Sequence, residues 1–185
     1  MRLSQTRVLW LALLVSVVWS PATHAQEAVT GPALVANEEE RLALETERLR
    51  REANRVRRIM GKGRFSFRVD SSAFASTLEY RRWLHGAWKA QLARTTRHFH
   101  RPPHLRAWRC IHRYEGPWKD PHSPYYGGLQ MDLAFQRTYG RMLLRTKGTA
   151  NRWNRYEQMW VAERALRRGR GFHPWPNTAR YCGLL

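Results

Sequence analysis

The chain has 185 residues and a formal charge of +19, with 33 lysines and arginines against 14 acids. That length holds one domain, or one domain with an extension, and excludes an assembly of several large domains. The charge directs the protein to polyanions but specifies no chemistry.

Met1, Arg2 and Arg7 give a positive start, and Val8 to Trp19 is an apolar run interrupted only by Ser16. Pro21 and the triplet Thr23, His24, Ala25 follow. This pattern predicts a secretory signal peptide over residues 1–25, because a run of about a dozen apolar residues falls short of the roughly 20 that a span requires. A retained N-terminal anchor is the alternative, disfavoured by the polar residues and prolines that follow at once. No other segment could cross a bilayer. Removing residues 1–25 takes away Arg2, Arg7 and no acid, so the +19 falls to about +17. Outside a cell the abundant polyanions are cell-wall polymers and lipid head groups. A secreted protein whose partner is a cell-wall polymer or a lipid surface is therefore expected, and nucleic acid is not expected as a partner.

Residues 26–36 read as a loose polar leader. Asn37 is a plausible N-cap for a helix reaching Met60, with Glu38, Glu39 and Glu40 at its positive start and Arg55, Arg57 and Arg58 at its end. Leu42, Thr46, Leu49, Ala53, Val56 and Met60 make a narrow stripe at helical spacing. The heptad Leu42, Leu49, Val56 permits a coiled coil, but Glu45 and Glu52 at the matching positions favour an exposed, charge-laced helix. Gly61 and Gly63 stop it, and Phe65 to Thr77 reads as a linker. A second helix is expected from Leu78 to about Arg94, with Tyr80, Leu84, Ala87 and Trp88 on one face. Pro102 and Pro103 mark a boundary between a basic helical extension with linker, residues 26–102, and a C-terminal domain, residues 103–185.

In that domain Ala107, Cys110, Ile111 and Tyr114 follow i, i+3, i+4, i+7 spacing, so a short helix should end near Glu115 and Gly116. A carboxylate there faces the negative end of the helix dipole, and Tyr114 and Trp118 would exclude water around it. Both effects favour the protonated form that a general acid in glycosidic cleavage requires. Pairing with Arg113 or Lys119 would instead keep Glu115 charged and structural. Tyr125-Tyr-Gly-Gly-Leu-Gln130 suggests a tight turn against which a polymer can lie closely. Gln130 would bond sugar or amide groups there, while Tyr125 and Tyr126 would stack on sugar rings or fill a core.

Leu133 to Leu144 looks helical, and Asn154 with Glu157 forms a capping-box start for a helix through Arg168, closed by Gly169. Residues 172–182 read as a proline-braced coil. Cys110 and Cys182 pair most simply as one disulfide in a secreted protein. Neither cysteine lies in a C-x-x-C pair and the eight histidines lack ligand-like spacing, so no metal site and no cofactor is expected. His112 and His122 are assigned surface or hydrogen-bonded structural roles.

Taken together, Trp108-x-Cys110, Glu115-Gly-x-Trp118, Tyr125-Tyr-Gly-Gly-Leu-Gln130, Glu157-Gln-x-x-Val-Ala-Glu163, Trp175-Pro and Cys182-Gly resemble the transglycosylase-like domain of bacterial resuscitation-promoting factors. The resemblance covers roughly the last 80 residues. It implies a mainly α, small lysozyme-like helical domain with little or no sheet. It also implies a secreted enzyme that cleaves the β-1,4 bond between N-acetylmuramic acid and N-acetylglucosamine in peptidoglycan. Carried over by position, the catalytic glutamate falls on Glu115, an aspartate on Asp132 and a substrate-contacting glutamine on Gln158, with Trp118 lining the groove. Family members place the glutamate directly after the cysteine, whereas four residues separate Cys110 from Glu115 here. Phe135 and Gln136 also replace the family's threonine-tryptophan pair.

A retaining hydrolase would need a second acid, for which Asp120 and Asp132 are the candidates. A lytic transglycosylase manages with one glutamate, the muramic C6 hydroxyl closing intramolecularly. The basic residues 37–94 would hold either enzyme on anionic wall polymers. A non-catalytic wall-binding or signalling module is the rival from another class. A cationic membrane-active or nucleic-acid-binding protein rests on charge alone.

Overall fold

The computed structural model describes residues 31–67 and 77–185, with the backbone alone for residues 31–35. The expected signal peptide, the start of the leader and residues 68–76 of the linker lie outside the described residues. The protein is mainly helical. In chain order come α1 (Gly31–Ile59), α2 (Leu78–Phe99), α3 (Leu105–Glu115), strands β1 (Tyr125–Tyr126) and β2 (Met131–Asp132), α4 (Leu133–Tyr139), α5 (Arg141–Lys147), α6 (Arg155–Ala165) and α7 (Pro176–Tyr181). The two strands pair antiparallel, Tyr125 opposite Asp132 and Tyr126 opposite Met131, and form the one sheet among the described residues.

Helix α1 begins at Gly31, so Asn37 lies inside it rather than capping it. Pro32 suits this earlier start, since a helix's first turn has no use for its missing N–H. The stripe on α1 is a packing face: Leu42, Ala53, Val56, Ile59 and Met60 are buried. Helix α2 covers much of this face and runs parallel to α1, since the contacts advance together along both helices as far as Lys62 against His98. Arg82 meets Glu38 at 2.8 Å and His85 meets Glu45 at 3.1 Å between them. The expectation of a solitary exposed helix fails because a second apolar face was available to pair with it. Thr77 caps α2 by accepting from the Tyr80 amide at 3.1 Å. The helix continues beyond Arg94 to Phe99, as Trp88, Gln91, Thr95 and Phe99 extend one buried face. Packing here overrides the modest helix propensity of Thr95 and Thr96.

One core crosses residue 102. Val56, Ile59, Met60 and Phe99 join Trp108, Ile111, Leu129, Met131, Leu143, Trp153, Met159 and Trp160 in a single cluster. The four indoles of this cluster, Trp108, Trp153, Trp160 and Trp175, each place their N–H on a partner. Trp108 donates to Glu163 at 2.7 Å, Trp153 to the Gly148 carbonyl at 2.8 Å, Trp160 to the Phe99 carbonyl at 2.8 Å, and Trp175 to the Leu129 carbonyl at 2.7 Å. Truncating a side chain of this size in a core typically costs about 3–5 kcal/mol. The helical extension thus completes the core of the segment that follows it.

Three local expectations change. Residues 133–144 form two helices, broken at Gly140. A Cβ at Gly140 would lie 2.4 Å from the Trp153 ring, which its own hydrogen bond holds in place, so the backbone turns where the indole packs. Helix α6 starts on the expected capping box, with Asn154 and Glu157 exchanging bonds. It then ends at Ala165 in a wide turn over Leu166–Arg170 that leaves Gly169 at φ 82. The tail, expected as coil, contains α7, opened by Pro176 in its first turn. Cys110 and Cys182 are joined, tying α3 to the end of α7 across 72 residues.

Candidate functional site

Helix α3 carries an acid at each end. At its N-terminus Glu163, 1% exposed, accepts from the His104 amide at 2.9 Å, the Trp108 indole at 2.7 Å and the His104 ring. That carboxylate serves the free N–H groups and positive pole of α3. At the C-terminus Glu115 is the last helical residue, half-buried, followed by Gly116 whose amide returns to the His112 carbonyl. Its side-chain partner among the described residues is the Thr178 hydroxyl of α7, which donates to Oε1 at 2.7 Å. Neither Arg113 nor Lys119 pairs with it.

Glu115 opens into a cleft of about 290 Å³, lined also by Tyr125, Gln130 and the tail residues from Pro174 to Asn177. Tyr125 is 51% exposed. Gln130 sits at φ 44, its amide donating to Asp120 at 2.7 Å and to the Gly127 carbonyl at 3.1 Å. Trp175 is buried beneath, edge-on to Trp108 at 5.2 Å. The structure therefore gathers Glu115, Tyr125 and Gln130 at one opening.

The other residues expected at the site lie elsewhere. Gln158 is fully buried, and its amide donates to the carbonyls of Trp118, Ala150 and Trp153 at 2.8, 2.9 and 3.2 Å. A side chain so committed is an internal brace, and it leaves the substrate-contacting set. Trp118 stacks on His112, ring centroids 3.9 Å apart, and does not line the cleft. Asp132 caps α4 by accepting from the Phe135 amide at 2.6 Å. Tyr126 packs against the core. His112 keeps a structural role, with Nδ1 3.2 Å from the Gly128 carbonyl.

The paired glycines also have a different purpose from the close approach of a polymer. A Cβ at Gly127 would lie 2.6 Å from Gln158 Oε1, and one at Gly128 would lie 2.6 Å from His112 Nδ1 and 2.9 Å from Trp118 Cα. The absent side chains face inward, where the protein fills the space itself. Sequence reasoning also missed Thr178, the partner that orients Glu115, because the tail was read as coil. The Trp175-Pro176 start of a helix was the available signal. Gln136 was missed too: fully buried, it joins the Met131 carbonyl at 2.7 Å to the Ala150 amide at 3.0 Å.

The carboxylates separate by environment. Asp120 accepts from His122, whose ring lies against Oδ1 and whose amide is 3.1 Å away, and from Gln130. These bonds, chiefly that of the His122 ring, hold its carboxyl below the usual aspartate range. A group kept ionised cannot be the proton donor. The linkage sign follows from the lower folded value: ionised Asp120 favours the fold above the ordinary pKa of about 4, and the contribution drains away as pH falls through the folded value. Asp120→Asn is thus expected to show a shallower loss of urea-midpoint stability than the wild type between pH 6 and pH 3. Parallel curves would show that this bonding has no consequence for the fold.

Glu157 is also committed, to the capping box and to Lys147 at 2.7 Å. Among the described residues no group of three or more histidines, cysteines and acids could hold a metal ion, and no helix is long and apolar enough to cross a membrane. Comparison with protein-family models, curated proteins and solved structures finds no match.

Proposed function

We propose that the chain is a secreted enzyme that cleaves the glycan strands of peptidoglycan at the N-acetylmuramic acid to N-acetylglucosamine β-1,4 bond, with Glu115 as its single acid/base. One observation carries this reading. Of the acids in residues 103–185, Asp120, Asp132, Glu157 and Glu163 are each committed to caps, braces or ion pairs. Glu115 lines an open cleft, held there by a hydroxyl.

In this reading the Glu115 carboxyl gives its proton to the glycosidic oxygen as the C1–O bond breaks, releasing the leaving sugar as an alcohol. The resulting carboxylate then takes the proton of the muramic C6 hydroxyl as that oxygen closes on C1, which leaves a 1,6-anhydro end. Attack by water in place of the C6 hydroxyl leaves a reducing end. The Thr178 hydroxyl fixes the carboxyl's orientation, Tyr125 offers a stacking face, and Gln130, its N–H groups held by Asp120 and Gly127, offers its amide oxygen as an acceptor. The resemblance to resuscitation-promoting factors supports the substrate and extends the proposal to a growth-resuscitation role. The basic residues 26–102 support retention on anionic wall polymers.

Burial of Gln158 and displacement of Trp118 from the cleft favour a second reading, a wall-binding or signalling module without turnover. Digestion of purified sacculi separates the two. Anhydro ends are expected for lytic cleavage and reducing ends for hydrolysis, whereas bound but uncut glycan supports the module.

A further inference from the structure

The carbonyl ends of two helices meet at the end of α6. Arg164 donates to the Tyr139 carbonyl of α4 at 2.6 Å and to the Arg58 and Ile59 carbonyls of α1 at 2.8 and 2.5 Å. Arg167 donates to the Met60 carbonyl at 3.1 Å. Beside these bonds lies a cleft of about 320 Å³ lined by Arg164, Arg167, Arg168, Gly61, Thr138 and Tyr139. It shares no lining residue with the Glu115 cleft.

No carboxylate lines this cleft, and among the described residues none of the three arginines has a carboxylate partner. That sets them apart from Arg41, Arg50, Arg55 and Arg82, each paired with a glutamate. Helix C-termini carry only about half a negative charge each, so two of them leave three full cations under-compensated. Burial, followed by the charge of Arg167, pulls the Arg164 guanidinium below its ordinary pKa, as crowded like charges do.

We propose that this cleft binds a phosphate group, free or linked in a phosphodiester polymer. Guanidinium forks match phosphate oxygens in pairs, and a tetrahedral anion has enough oxygens to be shared among three arginines. Arg164 is fixed by its three carbonyls and provides the inner cation. Arg168 is exposed and able to close over the anion, while Arg167, also exposed, keeps one nitrogen on the Met60 carbonyl and has the rest of its guanidinium left to donate. Such a site would engage the anionic polymers of a cell wall away from the Glu115 cleft.

The test is calorimetric titration of the mature chain at fixed salt with inorganic phosphate, linear polyphosphate and, as a carboxylate polymer, polyglutamate. Arg168→Gln removes a side chain with no hydrogen-bond or ion-pair partner among the described residues, so this variant keeps the fold. Arg167→Gln/Arg168→Gln is expected to weaken phosphate-ligand binding at least about tenfold. The charge-matched surface pair Arg97→Gln/Arg101→Gln is expected to change it less than about twofold. Cleft-dependent binding of inorganic phosphate assigns the site to isolated phosphate groups; cleft-dependent binding of polyphosphate alone assigns it to linked ones. The proposal is overturned if neither phosphate ligand binds, if both double variants lose binding equally, or if polyglutamate binds as tightly through the same arginines.

Discussion

Glu115→Gln is expected to slow peptidoglycan cleavage by roughly 10²–10⁴-fold, the range that general acid/base catalysis contributes. The substitution is suited to the question because glutamine keeps an oxygen to accept from the Thr178 hydroxyl while removing the exchangeable proton. Stability should therefore change by less than about 1 kcal/mol, because the half-buried Thr178 bond is kept. Binding to sacculi should persist, since Tyr125 and the basic residues are untouched. A variant that cleaves at the normal rate would transfer the chemistry to another group. The other acids of the segment are poorly placed for that, each already accepting hydrogen bonds from an indole, an amide or an ammonium group elsewhere in the fold.

Replacing both cysteines, Cys110→Ser/Cys182→Ser, is expected to lower unfolding stability by about 4 kcal/mol, the loop-closure value for a bridge spanning 72 residues. The consequence reaches the site. Helix α7 has six residues, too few to hold helical structure by itself, and it contributes the hydroxyl that orients Glu115. The bridge holds this helix against α3 five residues before Glu115. Cleavage should accordingly fall in the double variant even at temperatures where the core stays folded. Urea unfolding of oxidised and reduced protein, with sacculus digestion alongside, measures both effects. A loss below about 1 kcal/mol would mean that Trp175, through Leu129 and Trp108, already secures the tail without the bridge.

Periodic signals and the Asn154 capping signal in the sequence proved legible, whereas Asn37, expected as a cap, lies inside α1. The stripe from Leu42 to Met60, the Thr77-proximal start of α2, the end of α3 at Glu115 and the Asn154 capping box all depend on residues within a few positions of each other. Features set by distant partners were not legible. The break at Gly140 is imposed by Trp153, and the length of α2 by a core that includes Trp160. The same limit applies within the site. Tyr125 and Gln130 could be placed beside Glu115 because the turn between them is local. Whether Gln158 faces the cleft or the interior depended on the Trp118 and Ala150 carbonyls, which no spacing reveals. The inward-facing glycines are a case of one signal with two causes. A missing Cβ marks close approach, but only the fold shows that Gln158, His112 and Trp118 make it.

The unusual distance between Cys110 and Glu115 also has a physical reading. The cysteine lies within α3, where it ties the helix to the tail, and the glutamate lies at the end of the helix, where the cleft opens. One turn of helix separates anchor from acid. The central claim is that this acid breaks glycan bonds. Its most direct test is mass spectrometry of the glycan ends released from sacculi by the wild type and by Glu115→Gln at equal bound protein. New anhydro or reducing ends with the wild type, and almost none with the variant, are the expected result. Equal numbers of new ends from both proteins, or none from either, would contradict it.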